Sequence, residues 1–251
     1  MQSLITIIAA LTIGLAGGWS YGNQSTQQTT AGQIKNTNPN DLMVAEDFVS
    51  LRPSLAAIPS ESLSETELSG LQFMREEEKL ARDVYSTLYE KWGLPIFSNI
   101  AQSEQTHTEA VRDLLEKYNQ PDPVIDDTVG VFVNTDLQKL YTDLTSRGLT
   151  SVAAALQVGA QIEELDIRDL ATEIAKTDNQ DILFVYENLS RGSRNHLRSF
   201  ISQLSSRDES YTPQYITQEE FDTIISDTQE RGETNSSTDP HPRSGRGWGN
   251  R

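Results

Sequence analysis

A chain of 251 residues without a single cysteine cannot form disulfides, a thiol nucleophile, cysteine-ligated zinc or an iron–sulfur cluster. Its 37 acidic and 20 basic residues give a formal charge of −17; such a surface favours solubility and repels phosphate backbones, which speaks against nucleic acid as a partner. With only three histidines in the chain, an imidazole on a buried helix face is informative.

The first element is an apolar run, "LITIIAALTIGL" at 4–15, followed by the small residues Ala16, Gly17 and Gly18. It is short for a membrane span, which takes about 20 residues, and no Lys or Arg precedes it, Lys35 being the first. Residues 1–18 are therefore expected to be a signal peptide of an exported protein, periplasmic or extracellular, or else an uncleaved N-terminal anchor. Residues 19–63 read as a low-complexity linker rich in Gln, Thr, Asn and Ser.

From Ser64 onward the pattern is helical. Ser64-x-x-Glu67 is a capping box, and Gly93 followed by Pro95 ends the first helix. Pro95 suits the first turn of a second helix running to about Tyr118, ahead of Pro121. About thirty residues, with a short helix near 135–146, separate it from a third helix over 150–176. After "TDN" a fourth helix runs to Leu204. Two tight hairpins joined by one long crossover between helices 2 and 3 predict an all-α, antiparallel four-helix bundle over 64–205, with ferritin-like connectivity. Residues 206–231 form an extension in which Thr217-x-x-Glu220 opens a short helix, with Phe221, Ile224 and Ile225 placed to dock on the domain. The Gly/Arg-rich tail, 232–251, reads as disordered.

Stepping each helix by three and four residues exposes polar groups where a core belongs. Helix 2 gives Phe97, Ile100, Glu104, His107, Val111 and Leu114; helix 3 gives Leu156, Gly159, Glu163, Asp166 and Leu170; helix 4 gives Ile182, Tyr186, Leu189, Ser193, His196 and Phe200. In helix 1 the apolar stripe passes through Glu78 and brackets Glu77 almost as well, so periodicity leaves both open. Each unpaired buried charge costs several kcal/mol. A domain stable by about 5–15 kcal/mol cannot hold four carboxylates and two imidazoles at one depth without compensation. Two divalent cations would supply it, and imidazole with carboxylate suits iron or manganese. A metal-free polar network is the alternative.

"MREEEKLARDVY", "SEQTHTEAV", "GAQIEELDIRDL" and "RGSRNHLRSF" resemble the ferritin-like di-iron superfamily, and more closely a bacterial and archaeal family known as domain of unknown function 2202. "PQYITQEEFDTII" at 213–225 is similar to that family's C-terminal extension. Rubrerythrin-like proteins place a Glu three residues before an Ala-Arg pair with a Tyr one turn later, which matches Glu78, Ala81, Arg82 and Tyr85 and so selects Glu78 over Glu77. Their second helix carries Glu-x-x-His, matched by Glu104 and His107; the third carries carboxylates, matched by Glu163 and Asp166. The fourth normally repeats Glu-x-x-His, but here it reads Ser193-x-x-His196. Glu187 lies nine residues from His196, on the opposite face at about 100° per residue, so Asp166 is the candidate for the missing ligand.

The resemblance thus implies a di-iron or di-manganese centre, with Glu78, Glu104 and His107 on one ion and Glu163, Asp166 and His196 on the other. If Asp166 does not serve, a one-metal site follows. Peroxide reduction or ferrous-iron oxidation is the implied activity, with electrons from an external donor because no cysteine-ligated iron is available. A non-catalytic metal-binding or interaction module is the alternative. Tyr85 and Tyr89, about two and three turns along from Glu78, are expected to pack rather than to carry redox chemistry. The expected partners are metal ions and that donor; a homodimer and membrane attachment through the N-terminus are left open.

Overall fold

Local signals set the helix ends. In the computed structural model, which describes residues 52–230, the capping box at Ser64 and Glu67 opens α1 (Glu65–Trp92), and Gly93, left-handed at φ 64°, closes it. Pro95 sits at the first turn of α2 (Pro95–Lys117). Asn134 caps the crossover helix α3 (Thr135–Gly148) by accepting from two backbone N–H groups. Ser151 caps α4 (Val152–Ile174), and α5 (Gln180–Ser205) follows after a short turn. A second capping box, Thr217 with Glu220, opens α6 (Gln218–Ser226).

The order of core residues along each helix fixes its direction. One apolar cluster gathers Leu80, Val84 and Leu88 of α1 with Phe97 and Ile100 of α2, Leu156 and Ala160 of α4, and Leu197, Phe200 and Leu204 of α5. The other gathers Leu71 and Met74, Val111 and Leu114, Leu170, and Ile182 and Leu189 from the same four helices. The chain crosses from the second cluster to the first in α1 and α5, and from the first to the second in α2 and α4. Each hairpin partner is therefore antiparallel. Between the two clusters, at mid-length of all four helices, lie Glu78, Glu104, His107, Glu163 and His196. The core is split by a polar layer.

The crossover is held by charges that a helical-wheel reading assigns to solvent. Lys79 is fully buried; its Nζ lies 2.6 Å from Asp83 Oδ2 and donates to the carbonyls of Thr128 and Val131. Asp83 also accepts from Gly130 N at 2.9 Å, and Glu76 from Val133 N at 2.6 Å. Arg75 pairs with Asp122 and Arg82 with Asp127. Gly130 is required at its turn: its φ is 80°, and a Cβ there would sit 2.7 Å from the Tyr141 ring.

The fold reaches back beyond the boundary expected at residue 64. Residues 52–57 are helical, Leu55 is buried in the second cluster, and Arg52 pairs with Glu109 and Asp113 on α2. At the other end Phe221 and Ile224 of α6 bury against the first cluster. Tyr211 Oη and Gln214 N donate to Glu164, and Glu230 is gripped by Arg194 and Arg198 of α5. The expected signal peptide or anchor at 1–18, the linker up to residue 51 and the tail at 232–251 lie outside the described residues. Among the described residues, no helix is long and apolar enough to cross a membrane.

Candidate metal centre

Glu104 and His107 stand one turn apart on the same face of α2, so both side chains reach the bundle axis. Opposite them α1 presents Glu78, α4 presents Glu163 and α5 presents His196, and all five are buried. The ligand atoms form two groups, Glu78–Glu104–His107 and Glu104–Glu163–His196, each within 4.8 Å. Glu104 belongs to both. Its Oε2 lies 2.8 Å from His107 Nδ1 and its Oε1 lies 2.8 Å from His196 Nδ1. Glu78 Oε2 completes the first group at 3.3 Å from His107 Nδ1, and Glu163 Oε2 the second at 3.4 Å from His196 Nδ1. The two imidazoles lie 5.6 Å apart, inclined by 26°.

Of these contacts His107 Nδ1 with Glu104 Oε2 is a hydrogen bond; the others are close without being satisfied. His196 Nδ1 and Glu104 Oε1 are at ion-pair distance, yet neither makes a hydrogen bond. Distance alone does not align the N–H with the oxygen. Both oxygens of Glu78 and Oε2 of Glu163 are likewise buried without partners. Ligand atoms that converge on a common point, rather than on each other, have this geometry, and a cation at each point would satisfy them. Three carboxylates and two imidazoles form an oxygen- and nitrogen-rich set suited to iron or manganese. The residues fit the implied centre.

The electrostatics agree. Burial pushes Glu78 up to about 8, against the pull of His107. Burial also raises Glu163, against the pull of His196. Burial would raise Glu104 too, but His107 and His196 beside it hold its carboxyl well below the usual range. Burial would lower His196, but Glu163 and Glu104 raise it to about 9. The raised values of Glu78 and His196 favour their protonated forms, and metal binding would displace those protons.

The remaining sequence candidates fall in different places. Asp166 is buried with both oxygens unpartnered, but it stands beside the two groups rather than within either. Burial raises its carboxyl well above the ordinary value, and Glu78 and then Glu77 add to the rise. Glu77 is buried on another side of α1, against Asp169. Ser193 is buried, and its Oγ donates to Leu189 O at 3.1 Å, closing on its own helix. Tyr85 is fully buried and donates to Glu163 Oε1, leaving Oε2 to face His196; Tyr89 is 43% exposed.

One residue that periodicity passes over seats the site. A Cβ at Gly192 would lie 2.6 Å from His107 Cε1 and 2.7 Å from Nε2, so the α5 backbone presses directly on the imidazole. The available signal was a glycine in mid-helix, which costs about 1 kcal/mol relative to Ala and so asks for a reason.

Fold and site together define a class: an all-α four-helix bundle with a carboxylate-shared, two-histidine cluster at its midpoint. The chain belongs to the family described as "Uncharacterized protein domain (DUF2202)", whose profile matches residues 67–228. It is 58% identical over 178 residues to uncharacterized protein MJ0754 of Methanocaldococcus jannaschii, covering 71% of this chain and 96% of that protein. It is also similar to the crystal structure of hypothetical protein MJ0754 from that archaeon, with a TM-score of 0.69 and 58% identity, covering 69% of this chain and 99% of the other.

Proposed function

We propose that this chain is a ferritin-like protein that holds two iron or manganese ions at its midpoint and acts on peroxide or dioxygen, as a peroxidase or ferroxidase. Glu78, Glu104 and His107 would hold one ion and Glu104, Glu163 and His196 the other, with Asp166 beside them as a fourth carboxylate. The carrying observation is Glu104, whose two oxygens face two different histidines at 2.8 Å each. When bound, such a pair of ions supplies electrons in twos and open positions for an oxidant.

The chain's own residues prepare the place. The apolar clusters above and below keep water from the polar layer. Tyr85 fixes the rotamer of Glu163. Electrons come from an external donor, since the chain offers no cysteine ligand for a second iron centre.

The test is metal analysis of the full chain after anaerobic loading with ferrous iron or manganese. About two ions per chain and a raised melting temperature are expected. Glu104→Ala should lose both ions because both groups share it, while Glu109→Ala, on the α2 face turned toward Arg52, should keep both. Zero stoichiometry with an unchanged melting temperature refutes the reading. The complete burial of Glu78, Glu104 and Glu163 favours one second reading, a non-catalytic metal-binding module. A loaded chain that consumes neither peroxide nor dioxygen would decide for it.

A further inference from the structure

Past Glu163, α4 carries further carboxylates on a line that winds around the helix. Asp166, Asp169 and Glu173 follow Glu163 at steps of three, three and four residues, and Asp169 lies about 120° round from Glu163. A rise of 1.5 Å per residue spaces them roughly 4.5–6 Å apart along the axis. The series divides into two: Glu163 and Asp166 are 0% and 1% exposed, whereas the side chains of Asp169 and Glu173 reach solvent at 19% and 13%. From α1, Glu77 lies against Asp169, and Gly70 leaves the room that the Glu173 carboxylate occupies.

The inner members of this series lack partners. Both oxygens of Asp166, Oε2 of Glu77 and the hydroxyl of Tyr186 are buried without a hydrogen bond. At the outer end, Arg168 is committed to Asp169 and Lys176 to Glu173. Ion-pair networking thus accounts for the rim and leaves the interior unexplained. Asp166 is the link: beyond burial, the charges acting on it are Glu78, Glu77, Glu163 and Glu104, which joins Glu77 to three carboxylates of the centre.

We propose that Glu173, Asp169, Glu77 and Asp166 form a conduit that conducts divalent metal ions from the surface to the centre. The proposal rests on the reading of the centre as a metal site. Transport requires stations that attract an ion and then release it. Among the described residues only the two groups of the centre gather three ligand atoms within 4.8 Å, so the stations outside them offer one or two carboxylates and hold an ion loosely. A carboxylate-lined path between low-dielectric walls raises the local cation concentration and the association rate, by about 10–1,000-fold in comparable clefts.

The experiment follows cobalt(II) uptake by the full chain in stopped flow, read from the visible absorption of the bound ion, with equilibrium stoichiometry measured alongside. Glu77→Gln and Asp169→Asn should each slow loading by about tenfold while leaving the final stoichiometry at the wild-type value. Glu187→Gln, on the exposed face of α5, should load at the wild-type rate. Wild-type rates in both conduit variants, or a loss of stoichiometry in place of rate, overturn the conduit and leave the centre standing. If the wild-type chain takes up no cobalt, both readings fall. Should Glu77→Gln not fold, Asp169→Asn decides alone, since its side chain is partly solvated already.

Discussion

Replacing Gly192 by Ala puts one methyl group against one ligand. The new Cβ would stand 2.6 Å from His107 Cε1, and ordinary contact begins at 3.4 Å, so ring and helix must separate by about 0.8 Å. The imidazole has little room to yield, with Glu104 at 2.8 Å and Glu78 at 3.3 Å on its Nδ1 side. Overpacking of this kind costs roughly 1–3 kcal/mol. Ala recovers about 0.5–1 kcal/mol over Gly in a helix, so the fold should lose no more than about 2.5 kcal/mol and survive. Binding should suffer more selectively. A displaced ligand ring weakens affinity by about 10–100-fold, and only the Glu78–Glu104–His107 group contains this ring. Anaerobic calorimetric titration with ferrous iron should therefore resolve one tight and one weakened site where the wild type shows two tight ones. A variant that binds both ions with wild-type affinity and melts higher would refute the placement of His107 against α5.

Two further outcomes follow from the buried and latched charges. Asp83→Ala strands the fully buried Lys79 ammonium and frees Gly130 N; denaturant unfolding should show a loss of about 3–5 kcal/mol, and a loss below about 1 kcal/mol would mean that Lys79 finds solvent. Glu230 is held at about 2, below its ordinary 4.5, by Arg194 first, against burial and with help from Arg198. Its contribution to docking the C-terminal segment is therefore complete above about 4.5 and is lost as pH falls through about 2. Limited proteolysis across that window should show an acid-induced release that Glu230→Gln lacks, and matching profiles for the two proteins would refute the latch.

Much of the scaffold was legible because the chemistry that ends helices is local. Ser64 with Glu67, Gly93, Pro95, and Thr217 with Glu220 each act within a few residues, and they bound the helices where expected. The long crossover followed from the spacing alone. What was not legible depends on neighbours far along the chain. Arg75, Glu76, Lys79, Arg82 and Asp83 look like a solvated face by period, yet the crossover some fifty residues away covers them. Glu77 and Glu78 are both buried, so a hydrophobic stripe could not separate them; what distinguishes them is the partner each faces, Asp169 for one and His107 for the other. The double allegiance of Glu104 is a property of two carboxylate oxygens pointing opposite ways, and no one-dimensional pattern encodes it. Leu55 was assigned to the linker because 19–63 as a whole is rich in Gln, Thr, Asn and Ser; it is buried in the second apolar cluster, with Leu71 of α1 and Leu114 of α2.

The side chain of Lys79 has a consequence for anyone handling this protein. Its amine is closed off by Asp83, by two crossover carbonyls and by the face of Phe132, 4.4 Å away. Amine-directed reagents meet a lysine with no accessible nitrogen in the folded chain, whereas Lys91 and Lys139, which are not buried, offer theirs. Labelling at residue 79 therefore counts only those moments when the crossover lifts from α1. It gives a covalent clock for local opening, independent of the centre's contents and of any activity.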